Sequence, residues 1–253
     1  MDEAVSALAD QQAELTNILE SLDDADWQRP SRCEGWSVAD VVLHLAQTNE
    51  MAIASIDGCF AEYLAEVGRQ LGGAPQANVD DGAALMVAKE RDRPLAELKT
   101  RWQATVDGFL TRLADADFHR RVMWVAGELS IRTLVTTRLA ETWIHTGDVA
   151  DGLGIKLQPT ERLEHIARLA WRTLPYAFAR DGRELSGPVA FELEGPSGQR
   201  WEFLPDETPV TTIRGDGAQL CLVAARRAAP SETSLTGDGP DAGAVLELVR
   251  TYA

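Results

Sequence analysis

The sequence predicts an α+β protein: a helical part over residues 1–180, followed by a small α/β part over residues 181–253. Three observations carry this. Apolar residues recur near the helical period through most of the first part. After Asp181-Gly182 the texture changes to short alternating runs set off by Gly and Pro. The length, 253 residues, suits one large domain or one domain plus a small one, and either can bury a real core.

Taken in order, residues 3–22 read as an amphipathic helix, with Val5, Leu8, Leu15, Ile18 and Leu19 near a 3.6 period. Asp23-Asp24 breaks it, and Pro30 and Gly35 mark an irregular loop. Ser37-Val-Ala-Asp40 reads as a capping box that starts a second helix carrying Val41, Leu45 and Ile53. Asp40 also stands four residues before His44 and could instead orient its imidazole. Residues 58–82 look irregular, with Gly72-Gly73 and Pro75 marking a loop. A long helical stretch from about Gly82 to Leu113 restarts near Pro94. Arg121–Gly127 reads as one short extended segment leading into a helix from Ser130 to about Gly152, which Gly152 and Gly154 stop. A helix from about Thr160 to Arg180 is interrupted by Pro175. Strands are expected at 188–194, 200–204 and 210–213, with helices at 218–227 and 242–252.

The formal net charge of −16 argues against nucleic acid and anionic membranes as partners, since both call for a basic patch. There is no apolar run long enough for a membrane span, and Met1-Asp2-Glu3 lacks the basic start of a signal peptide. Cys33, Cys59 and Cys221 are few, odd in number and without CxxC spacing, which suits reduced thiols in a cytoplasm. The expected partner is a small molecule, and the chain is expected to be a monomer or homodimer.

The chemistry concentrates in Arg138-Leu-Ala-Glu-Thr-Trp-Ile-His-Thr-Gly-Asp148. On a helix, Glu141 and His145 stand one turn apart on one face, Asp148 follows on the same side, and Arg138 lies a turn earlier. Such a carboxylate–imidazole pair is most often solvated. Here apolar neighbours (Leu139, Ala140, Trp143, Ile144, Val149) bury it, and a buried charge needs a partner. A metal, an arginine or a histidine cation would each serve. A metal requires a third ligand, and of the four histidines His44 is the candidate. His119 beside two arginines and His165 on a charged helix face read as surface residues.

Two stretches carry a family resemblance. Trp27 with Pro30-Ser-Arg-Cys-Glu-Gly-Trp-Ser-Val-Ala-Asp-Val-Val-Leu-His44-Leu is similar to the N-terminal motif of the mycothiol-dependent maleylpyruvate isomerase family, and Arg138 to Val149 resembles its second motif. That family belongs to the DinB-like metal-binding four-helix bundles, and the resemblance covers nearly the whole chain. Residues 181–253 resemble the sterol-carrier-like domain that many members append. The resemblance implies that His44, Glu141 and His145 bind a divalent metal, usually zinc, leaving an open coordination position. It makes Asp148 and Asp40 candidates for holding the ligands in place, though each could equally be a helix-end charge. Leu220-Cys-Leu-Val-Ala-Ala-Arg226-Arg227 resembles the place where relatives carry an arginine that faces the metal cleft. Arg226 matches that position as a catalytic residue binding an anionic substrate, although Ala225 stands where a glycine is common. The plain alternative is that both arginines end a surface helix.

In the family reading the open position takes a low-molecular-weight thiol such as mycothiol, or an electrophilic substrate, and supports isomerisation or S-transfer. A metal-dependent hydrolase or lyase working without thiol, and a non-catalytic metal- or ligand-binding protein, are the competing readings. A non-haem iron triad ranks lower, because these ligands sit on bundle helices. Cys33 lies just before the His44 helix and could face the site, but it reads better as a small buried loop residue.

Overall fold

The computed structural model describes residues 2–72, 79–125 and 127–251. Its packing separates two units, Met1–Leu157 and Gln158–Ala253.

The first unit contains α1 (Glu3–Glu20), α2 (Val38–Asp57), α3 (Phe60–Gln70), α4 (Val79–Glu90), α5 (Leu95–Leu113), a hairpin of β1 (Arg121–Trp124) and β2 (Gly127–Ser130), and α6 (Ile131–Leu153). Helices α1, α2, α5 and α6 form a four-helix bundle in which α2 packs on α5 and α6, and α1 on α6 and α5. Local chemistry sets the helix ends. Asp2 caps α1 by accepting from Ala4 N at 3.0 Å. The capping box of α2 forms as expected: Asp40 N donates to Ser37 Oγ at 3.2 Å, and Ser37 N donates to Asp40 Oδ2 at 2.9 Å. Ser130 caps α6. Buried Leu15, Trp27, Val41, Leu45, Trp102 and Val149 belong to one apolar cluster that closes the bundle around the start of α2.

Three expectations change here. Residues 60–70 are helical, not irregular; only Phe60 of α3 is buried, so little of the helix shows in the apolar pattern. Gly73 and Pro75 lie outside the described residues. The extended segment from Arg121 is one arm of a hairpin whose second arm runs to Ser130. Gly154, with φ 73°, is the C-cap of α6, whereas Gly152 is inside the helix and has a different role. A Cβ on Gly152 would lie 2.3 Å from the carbonyl oxygen of Pro30, so this glycine lets the loop before α2 rest directly on α6.

The second unit contains α7 (Leu163–Arg172), α8 (Leu174–Arg180), β3 (Val189–Glu194), β4 (Arg200–Phe203), β5 (Thr211–Asp216), α9 (Gly217–Ala224), β6 (Thr236–Asp238) and α10 (Ala242–Leu248). The sheet order is β4-β3-β5-β6, with β3 and β5 parallel and the outer pairs antiparallel. The boundary expected after residue 180 falls after Leu157 instead. The reason is that α7 buries Leu163, Ile166 and Ala170 and packs on α9 and β4, while Trp171 Nε1 donates to Val189 O at 2.7 Å. Pro175 sits in the first turn of α8, where its missing N–H costs nothing. The edge strand β6 carries no signal in the apolar pattern, because all three of its residues are exposed. The last helix ends at Leu248; Tyr252, where it was expected to stop, is outside the described residues.

Candidate metal centre

The site is assembled where α2 and α6 face each other. The capping box fixes the start of α2 and so the position of His44 two turns in. The 3.6-residue period puts Glu141, His145 and Asp148 on one side of α6. One donor atom from each of His44, Glu141 and His145 lies within 4.8 Å of the other two. His44 Nε2 is 3.6 Å and His145 Nε2 is 3.7 Å from Glu141 Oε2. The imidazoles meet edge to face, with centroids 5.0 Å apart, and Trp36 covers His44 at 5.2 Å. The other histidines stand apart from this group: His119 is exposed before the hairpin, and His165 is half-buried on α7 rather than solvated.

Charge in the cluster is shaped by burial. Removal from water pushes His44 below its ordinary value, against the hydrogen bond to Glu141, which favours protonation. For Glu141, removal from water alone would raise the carboxyl. Burial is the largest single influence, but the His44 hydrogen bond and the charges of His145, Arg138 and His44 together exceed it, and the group sits at about 2. Both shifts point to an ionised carboxylate beside a neutral imidazole, the protonation states that metal ligation needs.

The arrangement around the candidate ligands is only partly legible in the sequence. Asp148 Oδ2 accepts from His145 Nδ1 at 2.9 Å, so this carboxylate orients the ring. Asp40 does not do the same for His44. Its oxygens are taken by Ser37 and by Arg91, whose Nη2 donates to Oδ2 at 2.6 Å. Arg138 is 1% exposed and donates to Thr48 Oγ1 at 2.7 Å and Asn49 Oδ1 at 3.4 Å. A guanidinium stays charged even when buried, and this one lends Glu141 a favourable field.

Cys33 differs from its expectation as a buried loop residue. It is half-buried, and its thiol donates to Asp148 Oδ2 at 3.2 Å, with Sγ 3.8 Å from His145 Nδ1. No local signal in the sequence places it there. The position depends on the loop crossing Gly152. Arg226 follows α9 with φ 59°, the only non-glycine residue with positive φ among the described residues, and its Nη1 donates to Glu247 O at 2.7 Å. Arg227 Nη1 donates to Ala225 O at 3.1 Å.

These features define a class: a helical-bundle protein with a two-histidine, one-carboxylate cluster on facing helices, joined to a small α/β unit. Residues 8–150 match the family model of the mycothiol maleylpyruvate isomerase N-terminal domain, and the chain belongs to that family. It is 30% identical over 252 residues to uncharacterized proteins of Mycobacterium tuberculosis, Rv0036c in strain H37Rv and MT0041 in strain CDC 1551, covering 98% of this chain and 95% of each relative. Crystal structures of mycothiol-dependent maleylpyruvate isomerase and of a histidine-to-alanine variant of it share the fold. Their TM-scores are 0.60 and 0.61 at 17% identity, with 95% of each chain covered. Among the described residues, no helix is long and apolar enough to cross a membrane.

Proposed function

We propose that the protein is a metal-dependent enzyme that uses a low-molecular-weight thiol, mycothiol or one like it, to isomerise or S-conjugate a small, electrophilic, anionic substrate. The observation that carries this reading is the convergence of His44, Glu141 and His145 donor atoms within 4.8 Å. The donors fit one ion: metal–ligand bonds of about 2.0–2.1 Å in a tetrahedral site put ligand atoms roughly 3.3 Å apart, close to the 3.6 and 3.7 Å separations here. His44, Glu141 and His145 would hold it, with zinc the best match to two imidazoles and a carboxylate. Bound there, such an ion supplies Lewis acidity that keeps a thiol ionised near neutral pH, where a free thiol of pKa about 8.5 is mostly protonated.

The chain's own residues do the rest. Asp148 holds the His145 proton on Nδ1, which turns the Nε2 lone pair toward Glu141. Arg138 keeps positive charge beneath the cluster and favours anions near it. In isomerisation, the thiolate adds to an activated alkene, forming a C–S bond and leaving the electron pair on the adjacent carbonyl as an enolate. The new single bond rotates. Collapse of the enolate then expels the thiolate and re-forms the alkene in the other geometry. Arg226 is proposed to bind the substrate carboxylate, a task for which a guanidinium fork is suited.

The test is a turnover assay on maleylpyruvate and related unsaturated keto acids, with and without mycothiol, alongside metal analysis. About one divalent ion per chain and thiol-dependent turnover are expected. His145→Ala should lose both while keeping its far-ultraviolet circular dichroism. Turnover without thiol would favour a hydrolase or lyase. Full metal occupancy in His145→Ala would refute the ligand set.

A further inference from the structure

We infer that the bundle contains a second metal position, formed by Cys33 Sγ, His145 Nδ1 and Asp148 Oδ2, that takes thiophilic ions and cannot be filled together with the first. The donors are close on all three sides: Sγ to Oδ2 is 3.2 Å, Sγ to Nδ1 is 3.8 Å, and Nδ1 to Oδ2 is 2.9 Å. Zinc-like bonds of about 2.3 Å to sulfur and 2.0–2.2 Å to nitrogen and oxygen need separations of roughly 3.3–3.7 Å, and the longer bonds of a larger soft ion open the triangle a little further, so the three side chains need only move modestly apart. The backbone holds the thiol in place. Arg32 N donates to Asp148 O at 3.1 Å, Cys33 N donates to Ser31 Oγ at 3.1 Å, and the Arg32 side chain pairs with Asp151 at 2.9 Å. The missing Cβ at Gly152 makes that docking possible.

Exclusion follows from the imidazole. A neutral ring has one lone pair and one N–H. In the first position Nε2 is the ligand, and Nδ1–H is donated to Asp148. In the second position Nδ1 must be the ligand, so the proton moves to Nε2, which faces Glu141 Oε2 at 3.7 Å. The Cys33 thiol proton leaves to solvent as the metal–sulfur bond forms. The two positions are thus the two tautomers of one histidine, and the donor sets sort ions between them. Thiolate favours soft ions such as Cd²⁺, whereas two imidazoles and a carboxylate hold borderline ions without it. A soft ion at Cys33 withdraws His145 from the first position without touching His44 or Glu141.

The other thiols can be controlled: Cys59 is exposed and Cys221 is buried, its thiol pushed up by loss of solvent. Metal-free protein carrying Cys59→Ser is titrated with Cd²⁺ while the ultraviolet thiolate-to-cadmium absorption is followed. The band should saturate at one ion per chain, vanish on adding Cys33→Ser, and persist in His44→Ala. Zinc-loaded protein should exchange its ion rather than gain a second. The inference fails if the parent shows no band, if Cys33→Ser leaves it unchanged, or if folded His44→Ala loses it. Two ions bound per chain would refute exclusion. Circular dichroism of each variant guards against misfolding, and His44→Gln replaces His44→Ala should the latter unfold.

Discussion

At the scale of single residues, the neighbours of the candidate ligands matter as much as those residues themselves. Asp148 is fully buried and accepts hydrogen bonds from both His145 and Cys33. Asp148→Asn keeps the shape but removes the charge that holds the His145 proton on Nδ1. Groups of this kind typically contribute 10–100-fold to metal affinity, and a loss in that range is expected. Competition with a chromophoric chelator measures it, and unchanged affinity would show that Asp148 is only a packing residue. Arg226 presents a different problem. It sits where helices commonly end in glycine: Arg227 N donates to Leu222 O at 2.8 Å and Arg226 N to Val223 O at 3.0 Å, which is a Schellman motif. A side chain in this left-handed conformation costs about 1 kcal/mol. Arg226→Gly should therefore match or exceed the parent in stability by up to about 1 kcal/mol, whereas Arg226→Ala should not. Both should lose turnover while keeping metal. Full activity in either variant would remove Arg226 from the mechanism and leave its strain without an explanation.

At the scale of elements, the contact between α6 and the loop before α2 organises the site. Two glycines of α6 separate packing from propensity. Gly152 has the Pro30 carbonyl where its Cβ would be, while a Cβ at Gly147 meets nothing within 4 Å. Gly152→Ala should destabilise by about 1–3 kcal/mol, the usual cost of overpacking, and displace Cys33 from Asp148. Gly147→Ala should stabilise by about 0.5–1 kcal/mol, since alanine is the better helix former. Urea unfolding followed by circular dichroism compares them. Equal effects of one sign would mean that the loop does not rest on the helix. The fold shows the same division between local and distant causes. The capping box of α2 and the pairing of Glu141 with His145 were readable because both lie within one helical turn. The helix α3 was not, because its burial is confined to Phe60.

At the scale of the whole molecule, acid should weaken the fold in two windows. His44 is held below its ordinary 6.5 by burial, so the unfolded chain binds its proton first. That contribution is complete above about 6.5 and is lost as pH falls below it. Among the described residues, four carboxyls are held below their ordinary values: Asp57 by Arg112, Glu161 by Ser197, and Glu90 and Glu141 despite burial, through Gln47 with Arg101 and through His44 respectively. Their contributions are present above the ordinary carboxyl range and disappear as pH drops through about 4.5 and below. The net charge of −16 acts the other way, since protonation relieves repulsion. At 1 M salt the screening length is only about 3 Å, which suppresses the repulsion and leaves the close pairs. Urea midpoints in high salt should thus fall modestly from pH 8 to 6 and steeply toward pH 4. Metal affinity should weaken in acid, because an imidazole that takes up a proton has no lone pair left for a metal. Midpoints and affinity that stay flat from pH 8 to 4 would contradict the neutral, imidazole-based site.

What acts over short distances is legible in the sequence alone: the helical first part, the capping of α2, the two α6 candidate ligands one turn apart, and the strands of the second part, two of them through hydrophobic alternation. It also singled out His44, because few histidines compete for the role. Tertiary structure decided the rest. The division at Leu157 depends on which partner α7 buries its apolar face against, and an amphipathic helix carries no label for that partner. Asp40 went to Arg91 and not to His44 because α4 ends beside it, a neighbour 51 residues away. Cys33 met His145 across 112 residues of chain because a single missing Cβ lets a loop lie on a helix. Periodicity records which side of an element is buried; only packing determines what it is buried against.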